Sequence, residues 1–363
     1  NMEYGEMIAN VGVRYEFFIQ AREVKDSVTL SYEGLSDRRI IDSQQRWAPR
    51  IGFSFPISEK AKLFFNYGHF YQRPGFVKYY QRATQASNAF TVIGNPNLDY
   101  EKTIQYEVGV QYAISEGYRL DVSGFYKDQY GLLNTVPEEL SSRSTEMQQN
   151  IDYARARGLE FEFLKRYGQF LAGSIKYEYT WAYGKSSSDR SDYYIRFAGG
   201  EIAIKENPLD WDIRHQLTAS ASFSVIKGEH PHFGIFKLPD DWSLNIIWLY
   251  KSGRPFTPGD NYPGLSLRRN ESPIINSKRM PANSTVDVKF DKNFQVYNMN
   301  YTFSILVNNI FDYNNVDDVY SSTGMANTDV NYNGQIYTGL PRHNNPAHYT
   351  SGRQIMLGLS VQF

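Results

Sequence analysis

The sequence predicts an all-β protein, a transmembrane antiparallel meander β-barrel of about twelve strands. Three observations predict it. Apolar and polar residues alternate with a period of two along most of the chain, connections alternate between long and short, and the last strand ends on an aromatic residue. In that last strand Ile355, Leu357, Leu359, Val361 and Phe363 share one face, with small, polar or flexible residues between them.

The strands follow in order. Ala9, Val11, Val13, Tyr15, Phe17 and Ile19 oppose Asn10, Gly12, Arg14 and Glu16; Pro49, Ile51, Phe53 and Phe55 oppose Arg50, Gly52 and Ser54, and Leu63, Phe65 and Tyr67 follow at once. Over 104–114, Ile104, Tyr106, Val108, Val110, Tyr112 and Ile114 oppose Gln105, Glu107, Gly109 and Gln111; over 118–127, Tyr118, Leu120, Val122 and Tyr126 oppose Arg119, Asp121, Ser123 and Lys127. Leu159, Phe161 and Phe163 oppose Glu160 and Glu162, and Leu171, Ile175, Tyr177, Tyr179 and Trp181 oppose Ser174, Lys176, Glu178 and Thr180. Leu217, Ala219, Ala221, Phe223 and Val225 alternate with Ser, Thr and Gln. Trp242, Leu244, Ile246, Trp248 and Tyr250 form a stripe whose polar side is broken by Ile247 and Leu249. Val286, Val288 and Phe290, then Tyr301, Phe303, Ile305 and Val307, precede the final strand. Most of these runs approach the ~9–11 residues that a tilted strand needs to cross a bilayer.

Long connections are expected over 20–46, 72–100, 130–152, 184–211, 252–284 and 312–352, rich in Ser, Asn, Asp, Gly, Pro and Tyr. Short ones fall at Ser58-Glu59-Lys60, Ser115-Glu116-Gly117, Arg166-Tyr167-Gly168 and Gln295–Asn298, with one of middle length at 227–241. External loops on one side of a membrane and tight turns on the other produce this alternation, whereas compact soluble domains avoid repeated long loops.

Composition agrees. At 363 residues the chain exceeds the roughly 250–300 residues of a single core. It is therefore two domains or one barrel. A net charge of −1 gives no electrostatic case for nucleic acid. Mean hydropathy of −0.53 and the lack of a long apolar run exclude helical spans but not a barrel. The 29 Tyr and 23 Phe suit aromatic girdles, to which Trp181, Trp242, Tyr250 and Tyr301 are assigned. Without cysteine there is no disulfide or thiol chemistry. The start carries no initiator Met or signal peptide, so a processed or truncated beginning is expected.

An ordered series of motifs carries a family resemblance over nearly the whole chain. It comprises Pro49–Phe55 with Phe64–Gly68 and Arg73-Pro74, Gly94-Asn95-Pro96-Asn97-Leu98 with Glu101-Lys102 and Tyr106–Gly109, Phe125–Asp128, and Arg157–Glu162. Ser252-Gly253-Arg254-Pro255-Phe256-Thr257-Pro258, Asn308–Phe311 and terminal Phe363 complete it. Together they resemble TonB-dependent outer-membrane receptors, and two of the motifs resemble the subgroup with a carboxypeptidase-regulatory-like N-terminal domain. The resemblance implies a twenty-two-stranded barrel in the outer membrane of a Gram-negative bacterium, filled by an N-terminal plug. Residues 1–363 would be its C-terminal portion, with plug, TonB-pairing box and first strands absent. It also implies TonB-energised uptake of a scarce or bulky solute. The expected partners are membrane lipid, TonB through the missing segment, the barrel assembly machinery and a surface lipoprotein.

A Lys or Arg turned to lipid at mid-membrane would cost ~2–4 kcal/mol, so the charged residues Glu107, Asp121, Glu160, Glu162, Lys176, Glu178, Arg214, Asp287 and Lys289 are expected to face the lumen. There they contact plug or solute, or merely pair across strands. Ile355, Leu357, Leu359, Val361 and Phe363 resemble a C-terminal assembly signal. No catalytic or cofactor constellation stands out. His343 and His348 with Asp317 and Asp318 lack metal-cage spacing, and no Ser is marked as a nucleophile near His215 or His69. Two rivals remain at this stage: a self-contained twelve-stranded pore or outer-membrane enzyme, and a barrel used for surface interaction or secretion assembly.

Overall fold

The computed structural model describes residues 2–4, 6–19, 23–25, 38–40, 43–81, 91–140, 143–166, 168, 170–197, 201–202, 205–260, 274–330, 336–338 and 345–362. Twelve principal strands cross it: β1 (Met7–Phe18), β2 (Gln44–Ser58), β3 (Ala61–Gln72), β4 (Glu101–Ser115), β5 (Tyr118–Leu140), β6 (Arg143–Lys165), β7 (Leu171–Gly184), β8 (His215–Val225), β9 (Trp242–Lys251), β10 (Asn283–Val296), β11 (Met299–Asn308) and β12 (Gln354–Gln362). Each pairs antiparallel with the next, so the sheet is a meander in sequence order, with Met2–Tyr4 added beside β1. All the expected strands are present.

Register divides the sheet into two chemical faces. Phe55, Leu63, Val110, Val122, Phe161, Tyr177, Leu217 and Tyr250 lie opposite one another in successive strand pairs. On the other face Gln111, Asp121, Glu162, Lys176 and Thr218 form an equivalent row. A one-residue slip in any pair would exchange the faces, so this continuity fixes the register of the whole wall. The apolar face is exposed rather than packed: Val13 is 61% and Leu357 70% accessible. A patch of this extent is not stable against water and requires a lipid solvent.

Aromatic rings bound that face at both ends. Near the short turns Tyr118 lies 6.0 Å from Phe163, Trp242 6.2 Å from Phe290 and Tyr301 5.4 Å from Phe294. Near the long connections Tyr67, Tyr106 and Tyr126 run across neighbouring strands, and Tyr179 lies 4.3 Å from Trp181. From Leu171 to Trp181 the strand rises about 33 Å, or about 25 Å along a membrane normal at a tilt of about 40°. That is the height of an outer-membrane apolar band.

One connection differs from expectation. β5 and β6 each run for 23 residues, and only 141–142 separates them, so 130–152 is a hairpin arm rather than a loop. Two short helices, α1 (Phe76–Tyr80) and α2 (Ser191–Phe197), lie in the neighbouring connections, and Thr91–Ile93 pairs parallel with Thr145–Met147 on the arm.

Candidate functional site

The arm gathers the connections on the long-loop side into one packed assembly. Tyr79 of α1 is fully buried with Leu98 and Leu133, and Phe18 packs against them. Gly94 passes so close that a Cβ would lie 2.7 Å from the Tyr79 carbonyl carbon and the Gln81 nitrogen. Only glycine fits there. The next residue, Asn95, donates from Nδ2 to the Gln148 carbonyl (2.9 Å) and accepts from the Asn97 N–H (2.9 Å). Asn150 accepts from the Asp99 N–H (2.8 Å) and donates to the Gly131 carbonyl (2.7 Å). The Gly-Asn-Pro-Asn-Leu motif is therefore a staple between the 72–100 connection and the arm.

Charge fixes the other side of the arm. Lys185 reaches Asp152 at 3.1 Å and Asp192 at 3.0 Å, and Asn134 donates to Asp152 at 2.8 Å. Burial pushes the Lys185 ammonium down, but hydrogen bonds and charge from Asp192 and Asp152 outweigh it and hold the group above its ordinary value. Arg196 of α2 grips Glu146 at 2.6 and 2.7 Å and also donates to the Thr135 carbonyl. Burial pushes the Glu146 carboxyl up, yet hydrogen bonds from Arg196 and Thr135 and the Arg196 charge leave it below the usual carboxylate range. Both pairs lie beyond the aromatic rows, outside the membrane band.

A second set of staples holds the later connections. Asp212 is fully buried and accepts from the Ala182 N–H (2.8 Å), Arg214 Nε (2.9 Å) and Arg279. In the Ser252–Pro258 motif, a Cβ on Gly253 would meet the Met280 carbonyl at 1.6 Å, while Arg279 donates to the Gly253 carbonyl. Asn309 adopts φ +52°, donates its N–H to Asp287 and exchanges hydrogen bonds with Tyr313. The Gly94–Leu98, Ser252–Pro258 and Asn308–Phe311 motifs thus hold connections at the ends of wall strands, whereas Phe125–Asp128 and Arg157–Glu162 lie within β5 and β6.

The nine candidate charges do not form one site. Asp121, Glu160, Glu162, Lys176 and Glu178 lie on the polar face of β5, β6 and β7, where Lys176 is 3.6 Å from Glu160 and Arg119 is 2.9 Å from Asp121. Thr180 donates to Glu178 at 2.8 Å, and Glu162 stands in register between Asp121 and Lys176. Asp287 is taken by Asn309, and Lys289 pairs with Asp291 at 3.1 Å. Arg214 stands apart at the upper rim, donating to Tyr183 Oη at 2.6 Å with its guanidinium beside the Trp181 ring. Glu107 is the member that lines a recess. With Asn10, Arg50, Asn66 and Gln105 it bounds a space of about 510 Å³ over Gly12, Gly52 and Gly68. Asn66 donates to Glu107 at 3.3 Å, and Arg50 lies 4.6 Å from the Phe70 ring centroid. Cation, anion and amides together can hold a polar solute or a loop of another segment. Asn10, Arg50 and Gln105 were legible as polar-face residues, but only the stacked glycines in three neighbouring strands signal a recess.

Among the described residues no His, Asp and Glu group could hold a metal ion. His348 bonds the Ala326 carbonyl at 2.9 Å and faces the Tyr320 ring; His343 lies outside the described residues. His215 sits on the apolar face, 4.9 Å from the Tyr179 ring and 2.8 Å from Tyr177 Oη. Ile355, Leu357, Leu359 and Val361 continue that face in β12, whereas Phe363 lies outside the described residues.

A wide sheet with one lipid-compatible face, aromatic borders and a packed assembly at one end defines the wall of an outer-membrane β-barrel. Residues 1–310 match the family described as TonB dependent receptor-like, beta-barrel, and the chain belongs to that family. Solved structures agree. The copper transporter OprC is 14% identical, with a TM-score of 0.51 over 98% of this chain and 45% of its own. The outer membrane transporter YddB from Escherichia coli is 11% identical, with a TM-score of 0.59 over 87% of this chain and 41% of its own. The ferric-catecholate import receptor Fiu from K12 E. coli is 14% identical, with a TM-score of 0.54 over 99% and 42%. No curated protein matches. The chain spans less than half the length of these solved proteins. It forms part of an outer-membrane β-barrel of a Gram-negative bacterium.

Proposed function

We propose that this chain is the C-terminal portion of the barrel of a transporter that takes up a scarce or bulky solute with energy relayed by TonB. Plug, TonB-pairing box and first strands lie upstream in this reading. The observation that carries it is the polar face, which runs beneath the external assembly and opens into the recess at Arg50 and Glu107. Recognition belongs to the external assembly, and the lumen charges guide solute or seat the plug. Copper, iron and ferric-catecholate transport by the similar solved proteins supports this class of cargo. Assembly into the membrane proceeds through the strand carrying Ile355, Leu357, Leu359, Val361 and Phe363, and a surface lipoprotein is a candidate partner at the external side.

The test is growth and uptake of metal chelates and other solutes too large for porins, in cells lacking this receptor and in cells lacking TonB. Loss of the same solute's uptake in both strains, restored by the full-length gene, supports the reading. Uptake that persists without TonB and follows passive diffusion overturns it in favour of a pore.

A further inference from the structure

We propose that the outer, apolar face carries a seat for one anionic membrane lipid, with an acyl chain in a groove at Gly124 and the headgroup phosphate on Arg157. The groove, of about 470 Å³, is floored by Gly124 and walled by Phe65, Tyr106, Val108 and Leu159. Gly124 lies opposite Val108 and Leu159, so it belongs to the lipid-facing side, and its missing side chain makes the depression. A Cβ there would already stand 3.4 Å from Leu159 Cδ2, and a longer side chain would fill the space.

Directly above, Arg157 lies opposite Tyr126 and Trp181, on the same face and at the level of the upper aromatic row. Its guanidinium sits 5.8 Å from the Trp181 ring centroid, and no carboxylate among the described residues pairs with it. The neighbouring arginines differ. Arg155 is held by Asp128 and Glu206, each at 3.2 Å, and Arg214 by Asp212 at 2.9 Å. A further space of about 400 Å³, lined by Arg155, Arg157, Trp181, Tyr183 and Glu206, receives the headgroup.

An exposed cation facing the hydrocarbon border gains little from water and much from a lipid phosphate, while the indole beside it anchors at the same depth. The apolar groove and the unpaired cation are contiguous through Tyr126, Arg157 and Trp181, which line both spaces. That continuity selects a lipid over a free anion.

The full-length protein is placed in nanodiscs in which phosphatidylglycerol or phosphatidylcholine with matched brominated chains replaces part of the lipid. Quenching of Trp181 is obtained by difference from Trp181→Phe. Phosphatidylglycerol is expected to quench at about fivefold lower mole fraction than phosphatidylcholine. Arg157→Gln should abolish that preference, and Gly124→Leu should weaken quenching by both lipids. Soluble glycerol phosphate should not compete. Equal quenching by the two lipids, an unchanged preference in Arg157→Gln, or full competition by glycerol phosphate would overturn the lipid seat. Heat-modifiable mobility on gels confirms that each variant is a folded barrel before it is compared.

Discussion

The membrane wall and the external assembly share one hairpin, β5 and β6, yet they obey different solvents. Within the wall, large apolar side chains such as Val13 and Leu357 remain exposed, because lipid solvates them. Beyond the aromatic row, the same two strands bury Leu133, Asn134, Thr135, Glu146, Gln148 and Asp152. The wall is held by register and by lipid. The assembly is held as a water-soluble domain is held, by a small core and a satisfied polar network. Order in the assembly therefore comes from polar staples rather than from the barrel wall itself.

The sharpest way to break this division is to remove one partner of a buried pair. Glu146→Ala leaves Arg196 without its carboxylate and is expected to destabilise the assembly by about 3 kcal/mol. Hydrogen exchange should rise in 130–152 and 185–197 and stay unchanged in β10 to β12; equal loosening of both would show that the regions are one cooperative unit. pH probes the same network. Glu146 is depressed below its ordinary 4.5, so its contribution is present above that value and is lost as pH falls through the lower folded value. Lys185 is raised above its ordinary 10.5, so its contribution is present below that value and is lost as pH rises through the higher folded value. Protection from exchange in the assembly, taken relative to the intrinsic rate at each pH, should therefore be greatest between these limits and fall at both extremes.

The wall answers to a different substitution. Phe161→Arg places a cation on the apolar face and should cost ~2–4 kcal/mol in urea titrations of folding into vesicles. Glu162→Ala, one residue on but facing the opposite side, should cost less than ~1 kcal/mol. If the two costs were equal, the assignment of faces would be wrong. Next in size is Asn95→Ala. It removes the bond to the Gln148 carbonyl and the acceptor for the Asn97 N–H, for an expected ~1–3 kcal/mol. Proteolysis within 72–100 should report it.

Legibility in the sequence followed the same boundary. Where one side of a strand meets lipid and the other meets polar surroundings, period-two alternation dominates, interrupted in β9 by Ile247 and Leu249, and every strand from Ala9 to Val361 could be read. Past Tyr130 both faces of the arm pack against protein, so Leu132, Leu133, Asn134 and Thr135 lose the alternation and look like a loop. A register shift between Asn150 and Tyr153 obscures the returning strand. The staple motifs were visible as motifs, but their partners, such as Gln148 for Asn95, lie 53 residues away and have no local signature. The candidate charges were assigned by parity alone, which places a residue on a face but cannot separate a recess such as that of Glu107 from a paired row such as that of Glu160.

The smallest effect tests whether the assembly's core is fully satisfied. Tyr79 is entirely buried, its hydroxyl has no hydrogen-bond partner among the described residues, and burial pushes the phenol up to about 12. The group therefore stays neutral at any pH at which the barrel is handled, and it contributes ring packing against Phe18 at 5.9 Å. Tyr79→Phe keeps the ring and removes the unpaired polar atom, so it should leave the assembly unchanged or more stable by up to about 1 kcal/mol. A slower exchange of the Gly94–Leu98 amides in Tyr79→Phe would mark the hydroxyl as a cost borne inside the core. Faster exchange would mean that water or a second segment of the protein satisfies it, and that the assembly is completed from outside the residues that form it here.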